Sequence, residues 1–176
     1  MSKLPRNHNA TQDVDAFLEK VRRTPAPAVP SGKRGRLIFA LDATMSRQPT
    51  WDAACQIQGE MFDATRAIGG LDVQLVYFRG FGECKAGAWQ PDAAGLARLM
   101  SKVACHAGKT QIGKVLTHVK KQTDQGKVGA VVYVGDAFEE DIDDVCHKAG
   151  ELGILGVPVF VFQEGADPIA QRAFRE

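Results

Sequence analysis

Two short apolar runs organise this chain, and each empties into a carboxylate. Leu37-Ile38-Phe39-Ala40-Leu41 runs into Asp42, and Gly129-Ala130-Val131-Val132-Tyr133-Val134-Gly135 runs into Asp136. Neither alternates apolar with polar, and unbroken runs of this length mark strands covered on both faces of a parallel sheet. They predict strands over 36–41 and 129–136. Between them the hydrophobic period becomes helical: Ala54, Ile57, Met61, Ala64 and Ile68 predict a helix over 51–68 that stops at Gly69-Gly70. Residues 71–78 predict a second strand. A short antiparallel edge strand is expected over 81–89, because only a brief connection separates it from the second. Helices follow over 92–103, 111–125 and 141–152, then a strand over 157–162 whose Pro158 is tolerable near a strand start. Asp167-Pro168 opens a last helix with Ala170, Ala173 and Phe174 on one face.

This alternation predicts an α/β fold, Rossmann-like and doubly wound, with a mostly parallel central sheet, helices on both faces and one antiparallel edge strand. Ahead of it, Val14, Phe17, Leu18 and Val21 share a helical face, so a short amphipathic helix is expected over 12–23 with Thr11 as its cap. Thr24 to Lys33 carries three prolines and reads as an extended linker. The expected organisation is a tail over 1–35 and one domain over 36–176.

Composition narrows the function classes. A chain of 176 residues, 44% hydrophobic, buries one substantial core. Its net charge is +1, but residues 1–36 hold eight Lys/Arg against three Asp/Glu, leaving fourteen against eighteen downstream. The basic residues of the tail are scattered and lack interleaved aromatics, which argues for a solvated tail and against nucleic acid as a partner. No apolar stretch approaches the roughly 18 residues that span a bilayer, and the polar N-terminus has no apolar segment behind it, so no membrane contact is expected and the chain is assigned to the cytosol. Four cysteines at 55, 84, 105 and 146 are too dispersed for a disulfide framework. Cys105-His106 and Cys146-His147 suggest zinc, but adjacent side chains diverge, which speaks against it.

The chemistry sits where the strands end. Beyond the first strand, positions i, i+2 and i+4 of an extended chain point the same way, so Asp42, Thr44 and Ser46 can converge. In open α/β sheets ligands gather at the carboxyl ends of strands, where strand order reverses, and Asp42 and Asp136 both lie at such ends. A third contribution is available from the loop Cys105 to Gly113, which places the Thr110 hydroxyl just ahead of a helix. Oxygen donors without His or Cys suit a hard cation, Mg2+ or Mn2+, better than zinc.

These residues resemble the von Willebrand factor type A domains, whose metal-ion-dependent adhesion site opens with Asp-x-Ser-x-Ser after the first strand. Here that segment is Asp42-Ala43-Thr44-Met45-Ser46, with Thr44 in place of the commoner serine. The resemblance implies that Thr110 and Asp136 complete the protein's share of the metal shell, giving the set Asp42, Thr44, Ser46, Thr110 and Asp136. It implies a binding module and no enzyme, in which an Asp or Glu of a partner protein fills the open metal position. It also implies a further helix, strand and closing helix beyond Glu176, so a truncated or short form of the domain is expected. The strand 157–162 would then be an exposed edge, with self-association along it as a consequence.

One enzyme class competes. Haloacid-dehalogenase-like phosphohydrolases also use a strand-ending Asp with Mg2+; in that reading Asp42 is the nucleophile, Thr110 contacts phosphate and Asp136 binds the metal. The usual second Asp is Thr44 here, and Ser46 has no role. A nucleotide-binding module fares worse, since no Gly-x-Gly-x-x-Gly follows the first strand and Gly108-Lys109-Thr110 lacks the upstream glycine of a phosphate loop. The acidic run Glu139-Glu140-Asp141 with Asp143 and Asp144 is read as stabilising a helix N-terminus. Trp51 and Trp89 are expected in packing, and His118 on the surface.

Overall fold

The computed structural model of the chain describes residues 34–47, 51 and 70–176. The helix expected over 12–23, the linker after it and, apart from Trp51, the helix expected over 51–68 lie outside the described residues.

Among the described residues, five strands form one sheet in the order β3-β2-β1-β4-β5. They are β1 (Gly35–Asp42), β2 (Leu71–Arg79), β3 (Glu83–Gln90), β4 (Ala130–Gly135) and β5 (Val159–Gln163). β1 pairs in parallel with β2 on one side and β4 on the other, β4 pairs in parallel with β5, and only β3 runs antiparallel, against β2. The fold is thus the mostly parallel doubly wound α/β class that the strand-helix alternation predicts. β1 is central, and its last five residues, Ile38 to Asp42, are all buried, which is why the run lacks alternation.

Four helices accompany the sheet among the described residues: α1 (Ala93–Met100), α2 (Ile112–Gln125), α3 (Ile142–Ile154) and the short α4 (Pro168–Ala173). Side-chain parity sorts them onto two faces. Ile38, Ala40, Val76, Phe78, Val131 and Tyr133 face one core with Val115, Leu116 and Val119 of α2, Val145 and Leu152 of α3, and Ala170 of α4. Phe39, Leu41, Val73 and Leu75 face the other with Leu96 and Met100 of α1 and with Trp51. Each fully buried side chain of this kind contributes about 1.5–3 kcal/mol relative to exposure. Trp51 is a packing residue whose indole N–H donates to Met100 O at 3.3 Å. Trp89 is another: its ring lies 4.1 Å under the Arg36 guanidinium and its N–H donates to Gln122 Oε1 at 3.2 Å.

Some boundaries differ from the sequence expectation. β3 begins at Glu83, not at Phe81, because Gly80 takes φ 61° in the tight turn and leaves Phe81 82% exposed at its tip. β5 begins at Val159, since Pro158 has no N–H for the ladder; its carbonyl instead accepts from Val131 N at 2.9 Å. His118 is half-buried, not a surface residue, and its Nε2 lies 2.9 Å from Gln74 Oε1. That contact, with Gln74 Nε2 donating to Gly87 O at 3.0 Å, satisfies a glutamine buried on the α2 side of the sheet.

The loop ahead of α2 is held by backbone proximity. Lys109 N donates to Gly80 O at 3.0 Å, and a Cβ on Gly108 would lie 2.0 Å from that same carbonyl oxygen. Both surfaces are backbone, so neither can yield by a rotamer change. Gly108→Ala is expected to destabilise the protein by about 1–3 kcal/mol, measured by denaturant unfolding against the wild type; unchanged stability would mean that the loop does not need this approach.

Candidate functional site

Asp42 closes β1. Leu41 stands opposite Val134 in β4, so the chain reaches Asp136 just beyond the neighbouring strand, and the gap between β1 and β4 is where strand order reverses. Ala43 continues the ladder for one residue, its N–H donating to Phe78 O at 2.9 Å and its carbonyl accepting from His106 N at 3.0 Å. The chain then turns. Met45–Arg47 form a single 3-10 turn closed by Arg47 N donating to Thr44 O at 3.0 Å. The sequence expectation of a still-extended segment through Ser46 is therefore corrected. Convergence comes instead from local side-chain bonding: Asp42 Oδ1 accepts from Thr44 N at 2.8 Å, and the Thr44 and Ser46 hydroxyl oxygens lie 3.3 Å apart.

Thr110 is buried in the loop ahead of α2. It is not that helix's cap, which is Gln111 without a side-chain cap bond. Its hydroxyl accepts from Glu139 N at 2.9 Å, and its own N–H donates to the Glu139 carboxylate at 3.2 Å. This reciprocal pair ties Thr110 to the segment that follows Asp136. One hydroxyl lone pair and its hydrogen remain for other partners. The acidic run that sequence reasoning assigned to one helix serves two. Asp141 caps α3, accepting from Asp144 N at 2.9 Å, while Glu140 reaches across to accept from Ile112 N at 2.6 Å and Gly113 N at 2.9 Å at the start of α2. A run of acidic residues signals N-termini, but nothing in the spacing says which helix.

The electrostatics are those of carboxylates taken out of water. Asp42 is fully buried, and among the described residues its Oδ2 has no hydrogen-bond partner; Asp136 Oδ1 is likewise buried and unpartnered there. Burial pushes the Asp42 carboxyl above the ordinary carboxylate range; hydrogen bonds from Thr44 oppose this, the Asp136 charge adds to it and the Arg47 charge opposes it. Arg47 is almost wholly buried and pairs with Glu164 just past β5. Glu164 is fixed there by its own N–H, which donates to Gly135 O at 2.9 Å. Sequence reasoning missed both residues, because partners 117 positions apart leave no local signal.

The structure thus brings Asp42, Thr44 and Ser46 together directly, sets Asp136 within electrostatic reach of Asp42, and anchors Thr110 to the Asp136 loop through Glu139. Two buried, unsatisfied carboxylate oxygens beside small hydroxyls fit a hard divalent cation, which would supply the positive charge they lack. Among the described residues no three His, Cys, Asp or Glu side chains gather into a metal-holding group, so any cation here depends on the hydroxyls as well.

No protein-family model and no curated protein matches the chain. Solved structures do. Proximal thread matrix protein 1 from the mussel byssus, with a zinc-occupied MIDAS motif, is 16% identical with a TM-score of 0.62, and the match covers 77% of this chain and 37% of the mussel protein. The SpRpn10 VWA domain is 10% identical with a TM-score of 0.58, covering 81% of this chain and 82% of that domain. Manganese-loaded TRAP protein of Plasmodium vivax is 16% identical with a TM-score of 0.56, covering 78% of this chain and 60% of TRAP. The chain spans little more than a third of the mussel protein's length.

Because its folded-state pKa is raised, Asp42 favours the folded state fully below the ordinary carboxylate pKa, and that contribution is lost as pH rises through the raised value. Asp42→Asn, which removes the charge, is expected to leave the melting temperature of the chelator-treated protein at neutral pH unchanged or higher. Thermal unfolding at neutral and acidic pH checks this, and a lower melting temperature at neutral pH would contradict it.

Proposed function

We propose, on the premise that this fold is that of von Willebrand factor type A domains, that the chain is a non-enzymatic, divalent-cation-dependent protein-binding module. Asp42, Thr44, Ser46, Thr110 and Asp136 would hold Mg2+ or Mn2+, and an Asp or Glu of a partner protein would complete the shell. The observation that carries this reading is the pair of buried, unpartnered oxygens, Asp42 Oδ2 and Asp136 Oδ1. Leaving a buried acceptor unmatched costs about 1–3 kcal/mol, more when it is charged, and a bound cation would offset that cost.

The chain's own residues supply binding and orientation. Asp42 is aimed by the Thr44 N–H, which occupies Oδ1 and leaves Oδ2 free. Thr44 and Ser46 offer neutral oxygens, so the charge of a divalent ion is only partly offset and the site retains attraction for an incoming carboxylate. The cation would supply Lewis-acid attraction for that carboxylate. Arg47, buried nearby, is paired with Glu164, so its charge is already balanced and the attraction for an acidic partner would come from the cation.

The phosphohydrolase reading asks Asp42 to attack phosphorus. It leaves Ser46 without a role, although the Ser46 hydroxyl oxygen lies 3.3 Å from that of Thr44, and it has Thr44 where that chemistry usually has a second Asp.

Isothermal titration of the chelator-treated protein with Mg2+ and with Mn2+ tests the proposal. Saturable one-site binding is expected, abolished in the Asp42→Ala/Asp136→Ala double variant and weakened in Ser46→Ala, a position without a role in phosphoryl transfer. Absence of binding by the folded wild type would sink the proposal.

A further inference from the structure

Two large apolar side chains stand in water beside the candidate cation ligands. Met45, between Thr44 and Ser46, is 55% exposed, and Phe81, at the tip of the β2–β3 turn, is 82% exposed. A lone exposed apolar residue is ordinary on a protein surface. Position and support set these two apart. Asp42 pairs with Phe78 across β1 and β2, and Met45 and Phe81 each follow that pair by three residues, so both leave the sheet at its carboxyl end from neighbouring strands.

Phe81 lies between Gly80 and Gly82, and the turn's backbone is tied down on both sides of it. Gly80 O accepts from Lys109 N at 3.0 Å, Gly82 O accepts from Lys114 Nζ at 3.0 Å, and Gln111 Nε2 donates to Arg79 O at 3.2 Å. The Thr110 loop and the start of α2 thus fix a turn whose one side chain points into solvent. A polar residue would serve the turn as well, so the turn does not ask for an aromatic. An exposed aromatic on a backbone already held in place loses little freedom when a partner covers it, which is the property of an interface anchor.

The loop ahead of α2 joins the two apolar residues. His106 N donates to Ala43 O at 3.0 Å, beside the turn that carries Met45, and Lys109 N reaches Gly80 beside Phe81. The His106 and Lys109 side chains are exposed, so this flank of the crevice is apolar with a lysine charge. On the opposite flank the Glu139 carboxylate accepts from Thr110 N and the Glu164 carboxylate pairs with Arg47. An acidic chain is therefore better matched on the β1–β2 side.

We propose that this flank is a docking surface for an acidic protein segment in which a bulky apolar side chain adjoins the metal-binding Asp or Glu and packs against Phe81 and Met45. This rests on the cation-site reading above and names the kind of partner that the site takes.

The test measures fluorescence anisotropy of three labelled synthetic peptides against the full chain in MnCl2. One has a central Glu flanked by Leu, the second has the Glu flanked by Ser, and the third has Gln in place of Glu between the Leu residues. The Leu-flanked Glu peptide is expected to bind at least about fivefold more tightly than the Ser-flanked one, and the Gln peptide not to bind. Phe81→Ser is expected to erase the preference for Leu and Met45→Ser to reduce it, while titration calorimetry shows the Mn2+ affinity of Phe81→Ser unchanged. Equal binding of the two Glu peptides, a preference that survives both substitutions, binding of the Gln peptide, or no binding of any peptide by the Mn2+-loaded protein overturns the proposal and leaves the cation site standing. A markedly lower melting temperature of Phe81→Ser also overturns it, because the ring would then be structural. A wild type that binds no Mn2+ removes the cation-site reading, and this inference with it.

Discussion

The parallel pairing of β1 with both β2 and β4 is the constraint on which everything else depends. A strand with neighbours on both edges and cores on both faces has no route to water except at its ends. Its carboxyl end is also the point where the sheet's order reverses, so the loops that leave β1 and β4 diverge and open a crevice between them. Asp42 and Asp136 occupy that crevice as a consequence of register. The same burial that stabilises the strand makes the Asp42 charge costly.

Around this pair the protein builds positioning from backbone groups. The loop carrying Thr110 is held on one side by the close approach of Gly108 to Gly80 and by Gln111, whose side chain donates to Arg79 O at 3.2 Å. On the other side it is held by Glu139 and Glu140, which bond the N–H groups of Thr110, Ile112 and Gly113. The segment after Asp136 thus caps the helix after Thr110, and hydrogen bonds join the two segments. A change in Asp136's surroundings would be felt at the start of α2, through hydrogen bonds to a charged acceptor that are stronger than neutral ones.

Charge balance at the carboxyl end is equally distributed. Arg47 and Glu164 form a buried-to-surface ion pair beside the carboxylates, and Glu164 is fixed by the backbone of Gly135. Burying an arginine is costly without a partner, so this pair locks the turn after Ser46 to the loop after β5. Four elements of the chain, the ends of β1, β4 and β5 and the start of α2, therefore meet in one network at the crevice.

Much of this was legible in the sequence. The two unbroken apolar runs determined the buried parallel strands, because a strand covered on both faces cannot alternate, and the carboxylate after each run marked the carboxyl end of its strand. The helical periodicity of 111–125 and 141–152 placed α2 and α3 within a residue or two. What the sequence left undecided depends on contacts between distant positions. Whether Thr110 caps its helix or bonds the Asp136 loop turned on where Glu139 and Glu140 arrive. Asp42, Thr44 and Ser46 converge through a hydrogen-bonded turn where extended backbone was expected, since the Thr44 N–H finds its nearest acceptor in Asp42. The pairing of Arg47 with Glu164 follows from strand order and register alone. Local pattern records which side chains must leave water; only the tertiary structure decides which buried polar groups find one another, because that matching is made across the sheet and not along the chain.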